Sequence, residues 1–263
     1  MIVATGAAAA ALGIGAGALA NRAIDRVRRE TAQADPHETP SDTTPSDLSP
    51  APAATSTRIA VIDTITRRHH TSARRVLVEV STALLFVAVT LRLTALDIMP
   101  AAPAYLWFTA VGVALTVIDI DCKRLPNFLV VPSYPIVFAC LTVASAIQSD
   151  WPALLRAAIG AVVLFGFYFL LALIYPAGMG FGDVKLAGVI GAVLAYLSYG
   201  TLLVGAFLAF LVAALVGTVI LVTRRGRIGT TIPFGPYMIA AALIAVLAAD
   251  PLARAYLDWA GAA

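Results

Sequence analysis

The chain has 263 residues, 60% of them hydrophobic and 13% charged, with a formal net charge of +3. Soluble domains carry about 25% charged residues, and one water-soluble core of this length does not hide so much apolar surface. The apolar residues fall in runs of about 15 to 25, enough to cross a bilayer as helix, so composition implies an all-α polytopic membrane protein. The Arg residues stand at the ends of those runs, and the positive charge therefore does not call for a nucleic-acid partner.

Residues 2–20 are apolar and rich in Ala and Gly. Ala18-Leu19-Ala20 resembles a signal-peptidase site, but no Lys or Arg precedes the run, and Arg22, Arg26, Arg28 and Arg29 follow it. That polarity predicts an uncleaved first transmembrane helix over 1–20 with its N-terminus outside. Residues 21–75 form a second unit, a polar first cytoplasmic loop with basic flanks. It contains Pro36, Pro40, Pro45, Pro50 and Pro52, and its middle, 31–57, reads as disordered.

Seven more apolar segments follow, at about 76–96, 101–118, 127–147, 152–175, 184–198, 201–222 and 233–249, and make 76–263 a seven-helix membrane core. Alternation places 21–75, 119–126, 176–183 and 223–232 on one side. Only Arg92, Arg156 and Arg254 fall on the other, which leaves 15 of the 18 Lys and Arg on the first once Lys185 is counted there. This predicts about eight spans in the inner (cytoplasmic) membrane, the first side cytoplasmic and both termini outside.

Two cytoplasmic connections carry acidic motifs. The first is Ile118-Asp119-Ile120-Asp121-Cys122-Lys123-Arg124-Leu125-Pro126-Asn127, and the second is Gly178-Met179-Gly180-Phe181-Gly182-Asp183-Val184-Lys185. A carboxylate at the edge of the hydrocarbon is costly unless it is solvated, paired or used. Plainer readings exist for each: Asp183 as an N-cap, and Asp119 paired with Lys123 one turn on. Their joint appearance on one face favours function. The alternating glycines before Asp183 leave room for an extended peptide to approach. The same glycines also suit a hinge or a GxxxG helix crossing at Gly178 and Gly182. No GK[ST] follows, so a phosphate loop is disfavoured.

Two aspartates suffice for peptide hydrolysis. Like charges sharing a site do not both ionise readily, so one carboxylate takes a proton from water while the other, protonated, donates to the scissile carbonyl. The pair acts as a unit, and neither role is assigned to one residue. No metal and no cofactor is expected. His37, His69 and His70 all fall in the polar loop, and no HExxH or GxSxG is present. Cys122 and Cys140 form no CxxC pair, and Cys122 has no His partner nearby, which speaks against a thiol nucleophile.

The chain resembles the type IV prepilin peptidases, membrane aspartyl peptidases with a GxGD motif. Asp119 and Pro126 match the seven-residue spacing of the family's first motif, with Leu125 and Asn127 in place, and Gly178 to Lys185 match the second. Asp121 is at the wrong spacing and ranks below Asp119, as a minor candidate for contact with a basic leader. Ile232-Pro233-Phe234-Gly235-Pro236 resembles the segment before the family's last span, and Gly17, Asn21, Ile24 and Arg26 resemble the exit of its first. The resemblance implies an aspartic endopeptidase with Asp119 and Asp183 catalytic. The segments Gly178, Gly180, Gly182 and Lys185, and Leu125, Pro126 and Asn127, would form the substrate approach. Its partners would be the lipid bilayer and a prepilin or pilin-like precursor of type IV pilus or protein secretion systems, cleaved at the cytoplasmic face. Many family members carry two CxxC pairs in the first loop and also methylate the new N-terminus. This loop has no cysteine, so peptidase activity alone is expected. Alternatives are a transporter, whose sites usually lie near the midplane rather than at span ends, and a non-catalytic pilus or secretion assembly protein. A presenilin-like peptidase shares GxGD but is disfavoured by Leu-Pro-Asn.

Overall fold

The computed structural model describes residues 2–34, 53–174, 179–222 and 233–259. Among them, eight α-helices and one short 3-10 turn account for all regular structure: α1 (Ile2–Ala34), α2 (Ala53–Ala95), the turn Met99–Ala101, α3 (Ala102–Cys122), α4 (Asn127–Gln148), α5 (Trp151–Ile174), α6 (Phe181–Leu197), α7 (Tyr199–Val222) and α8 (Gly235–Trp259). Each of the eight apolar segments of the sequence lies within one of these helices or overlaps it. Six are long and apolar enough to span: Thr5–Thr31, Ala73–Ala95, Met99–Cys122, Asn127–Gln148, Trp151–Ile174 and Tyr199–Val219. Among the described residues the other two carry shorter apolar stretches: Gly235–Ala248 of α8, and the 17 residues of α6, which reach roughly 26 Å at 1.5 Å per residue against a hydrocarbon thickness of about 30 Å.

The bundle carries apolar residues outside as well as inside. Val162 and Phe207, 73% and 70% exposed, show an outer face suited to lipid. Inside, α6 is the central helix, buried without interruption from Leu186 to Tyr196. It packs against α5 where Gly160 and Gly191 face each other. A Cβ on Gly160 would strike Gly191 O and the Ala195 side chain. This close approach is how membrane helices gain packing without a hydrophobic drive between them. α1 meets α2 the same way, since a Cβ on Gly17 would lie 2.6 Å from Glu79 Cα. Two polar side chains within the bundle find internal partners: Tyr105 donates to Val193 O at 2.8 Å and Trp107 Nε1 donates to Ser133 Oγ at 3.1 Å.

The first loop differs from expectation. Residues 21–34 continue α1 and 53–75 begin α2, so both edges of the 31–57 stretch are helical; its Pro-rich middle, 35–52, lies outside the described residues. The reason is local and tertiary. No Gly or Pro interrupts Asn21–Ala34, Arg26 pairs with Glu30 one turn on at 2.9 Å, and Arg75 reaches across to Asp25 at 2.7 Å. Asn21 Nδ2 donates to Arg75 O and Glu79 Oε1, both at 3.2 Å.

Candidate active site

Asp119 sits in the last turn of α3 and Asp183 in the first turn of α6, only 5% and 8% exposed. α3 stops because Lys123 turns left-handed (φ 50°), its N–H donating to Asp119 O at 2.9 Å. The chain then runs through Leu125 to Pro126, whose extended backbone opens α4. α6 opens at Gly180, and Asp183 is the third residue inside it. Its carboxylate faces the Gly180 backbone N–H from the third position of the helix, the place of the acceptor in a capping box.

Both carboxylates line one cavity of about 350 Å³, shared with Lys123, Arg124, Leu125, Asn127, Gly180, Phe181, Gly182 and Lys185. They lie within electrostatic reach of each other. The two motifs are joined by direct contacts. Lys185 Nζ donates to Asn127 Oδ1 at 2.9 Å and lies over the Phe181 ring, 4.9 Å from its centroid. Leu125 covers Gly182, where a Cβ would come within 2.8 Å of the Leu125 Cβ. Gly182 is therefore needed for an intramolecular contact of the two motifs. Pro126 supplies the turn between Leu125 and Asn127, and Gly178 lies outside the described residues.

Asp119 makes no ion pair with Lys123 among the described residues. Among the described residues its Oδ2 is buried without a hydrogen-bond partner, an arrangement that costs about 1–3 kcal/mol for a buried polar group. The Gly235 backbone N–H faces this carboxylate, and a Cβ on Gly235 would lie 2.7 Å from Oδ2. The segment Pro233–Pro236, a resemblance without a role in the sequence, therefore brings a third element to the site.

Asp121 points elsewhere. Its two oxygens accept from Arg28 and Arg74, each at 2.6 Å, which ties α1 and α2 to the end of α3. It does not line the cavity, so a leader-contact role loses its support. Cys122 is turned toward Thr31 of α1, 4.0 Å from its hydroxyl, also away from the cavity.

Two tyrosines had no signal in the sequence. Tyr168 on α5 is buried and within electrostatic reach of Asp183. It stacks on Phe210 at 5.5 Å and leans on Phe234 at 6.0 Å, forming an aromatic wall behind the carboxylate. Tyr134 on α4 donates to Lys185 O at 2.6 Å, passing over Gly188. Aromatics scattered through apolar helices read as lipid-facing or core residues until packing shows which carboxylate or backbone group they serve.

Known proteins resemble the chain across this same region. Residues 106–222 match the model of the type IV leader peptidase family. The prepilin leader peptidase/N-methyltransferase of Bacillus subtilis is 31% identical over 183 residues, covering 69% of this chain and 69% of the relative. That of Aeromonas hydrophila is 37% identical over 194 residues, 71% of this chain and 62% of the relative. That of Pseudomonas aeruginosa is 35% identical over 161 residues, 61% of this chain and 54% of the relative. The chain thus spans between half and two thirds of the length of these last two. No solved structure matches it. With a relative 31% identical across more than two thirds of both chains, and a family match over the residues that carry Asp119 and Asp183, the chain belongs to the type IV leader peptidase family.

Proposed function

We propose that the protein is an aspartic endopeptidase that removes the leader from prepilin or pilin-like precursors at the cytoplasmic face of the membrane, with Asp119 and Asp183 as its dyad. One observation carries this reading: two nearly buried carboxylates from different helices open into a single cavity at one end of the bundle. In the reaction, the ionised carboxylate takes a proton from water as that water attacks the scissile carbonyl. The protonated partner donates to the carbonyl oxygen, and the proton passes on to the leaving amine.

Topology supports the assignment. The carboxylates share their end of the bundle with Arg28, Arg74 and Arg75, held there by Asp121 and Asp25, and a concentration of cations marks the cytoplasmic side. A basic leader would lie on that side, with the apolar stem of the precursor in the bilayer. The carboxylates' position at helix ends also favours a peptidase over a carrier with a site at mid-depth. The relatives' names include N-methyltransferase. With no cysteine in residues 21–75, we assign this chain the peptidase step alone; methyl transfer to processed pilin that depends on it would contradict this.

The test is incubation of the full chain, purified in detergent, with a pilin-like precursor, and mass measurement of the products. Cleavage at one bond on the C-terminal side of the basic leader is expected, retained in excess chelator. Cleavage abolished by the chelator, or none with any pilin-like precursor, contradicts the reading.

A further inference from the structure

Three aromatic rings from three parts of the chain meet beside the carboxylates. Tyr168 of α5 stacks on Phe210 of α7, their centroids 5.5 Å apart. Phe234, the residue before α8, leans on both, 6.0 Å from Tyr168 and 5.5 Å from Phe210. Each ring thus packs on the other two. Rings have few torsions, and offset or tilted contacts between them favour particular orientations.

Each end of this cluster reaches one carboxylate. Gly160 lies against Gly191 and Ala195, and Leu164 against Gly191, so α5 and α6 run in opposite directions. Tyr168, eight residues past Gly160, and Asp183, eight before Gly191, therefore share one level of the bundle, roughly 12 Å from that crossing. Tyr168 is buried there, within electrostatic reach of Asp183. At the other end, Phe234 is bonded to Gly235, whose N–H faces the Asp119 carboxylate and where a Cβ would lie 2.7 Å from Oδ2. A continuous path of neighbours runs from Asp119 through Gly235, Phe234 and Tyr168 to Asp183, independent of the bond between Lys185 and Asn127.

We infer that the cluster of Tyr168, Phe210 and Phe234 holds Asp119 and Asp183 together, with Phe234 and Phe210 as positioning residues that act through the Gly235 backbone and the Tyr168 ring. The consequence for rate rests on the proposed dyad; the spacing of the carboxylates does not. Repulsion within a close carboxylate pair spreads its two apparent pKa values, and hydrolysis uses the state that holds one shared proton. Repulsion falls with distance, so a looser pair has closer values and a narrower interval of activity. The charged groups that share the cavity with the pair are Lys123, Arg124 and Lys185, and Tyr168 faces Asp183 from α5. The rings that α7 and the segment before α8 bring to the cluster, Phe210 and Phe234, do not titrate.

The experiment measures cleavage of a pilin-like precursor across pH by the purified full chain, unaltered and as Phe234→Leu, Phe210→Leu and Phe234→Tyr. A second readout needs no substrate: the pH dependence of carbodiimide modification of Asp119 and Asp183, followed by mass spectrometry. Phe234→Leu should lower kcat by about tenfold or more at nearly unchanged KM, the scale of a misplacement below 1 Å. It should also draw the two limbs of the pH profile toward each other, and the modification profile should converge in the same way. Phe210→Leu, one ring farther from Asp119, should do both to a smaller degree, and it gives an independent reading if Phe234→Leu does not insert. Phe234→Tyr, which keeps the ring, should retain most of the rate. Absence of cleavage by the unaltered chain would contradict the proposed function, and the modification profiles would then decide the inference alone. A loss of kcat with both profiles unchanged, or rates and profiles unaltered in Phe234→Leu and Phe210→Leu, overturns it.

Discussion

Lys185 Nζ donates to Asn127 Oδ1 at 2.9 Å, and this bond joins the second turn of α6 to the first residue of α4. Through it the two acidic motifs become one structure, with partners 58 residues apart in the chain. On the proposed function, Lys185 and Asn127 act as positioning residues. Lys185→Met and Asn127→Ala should each lower kcat/KM by about tenfold, consistent with one lost charge-assisted bond. The double variant should be little worse than either single one. Full additivity in that double-mutant cycle would show that the bond does not act as a unit.

The buried face of Asp119 leaves no room for a side chain at position 235, where a Cβ would lie 2.7 Å from Oδ2. Gly235→Ala should displace the carboxylate and reduce cleavage by about a hundredfold, the scale of a 1 Å misplacement. Membrane abundance should hold. Near-normal turnover in a well-inserted Gly235→Ala protein would show that Asp119 is not held at this spot during catalysis.

Asp121 accepts from Arg28 and Arg74 at a partly exposed site. Partly exposed ion pairs are worth about 1 kcal/mol or less each. Asp121→Asn should lower thermal stability slightly and leave most cleavage activity. Loss of activity as complete as that of a catalytic substitution would move Asp121 into the reaction.

The α5–α6 crossing depends on Gly160 lying against Gly191. Gly160→Leu should force these helices apart, destabilising the bundle by more than about 2 kcal/mol, at the upper end for overpacking. Membrane abundance and resistance to proteolysis measure this; an unaffected protein would contradict the tight crossing.

Much of this was legible in the sequence for a physical reason. Spans are read from long apolar runs, and Asp119 and Asp183 stood out because carboxylates at the edge of such runs are rare. The contacts between elements were not legible. Nothing local tells that Gly235 faces Asp119, that Tyr134 holds Lys185 O, or that Tyr168 backs Asp183, because each depends on which helices become neighbours. The helical edges of the first loop were also missed. Proline and serine content marks 35–52, but the ion pairs of Asp25 and Asp121 that accompany the helical flanks join residues up to 93 positions apart.

The central claim is the dyad. Its most direct test is cleavage of a co-expressed prepilin, followed as a gel shift, with the unaltered chain beside Asp119→Asn and Asp183→Asn at equal membrane abundance. The account predicts the shift with the unaltered chain and its loss in both variants. A shift retained by either variant would contradict the assignment of Asp119 and Asp183 as the catalytic pair.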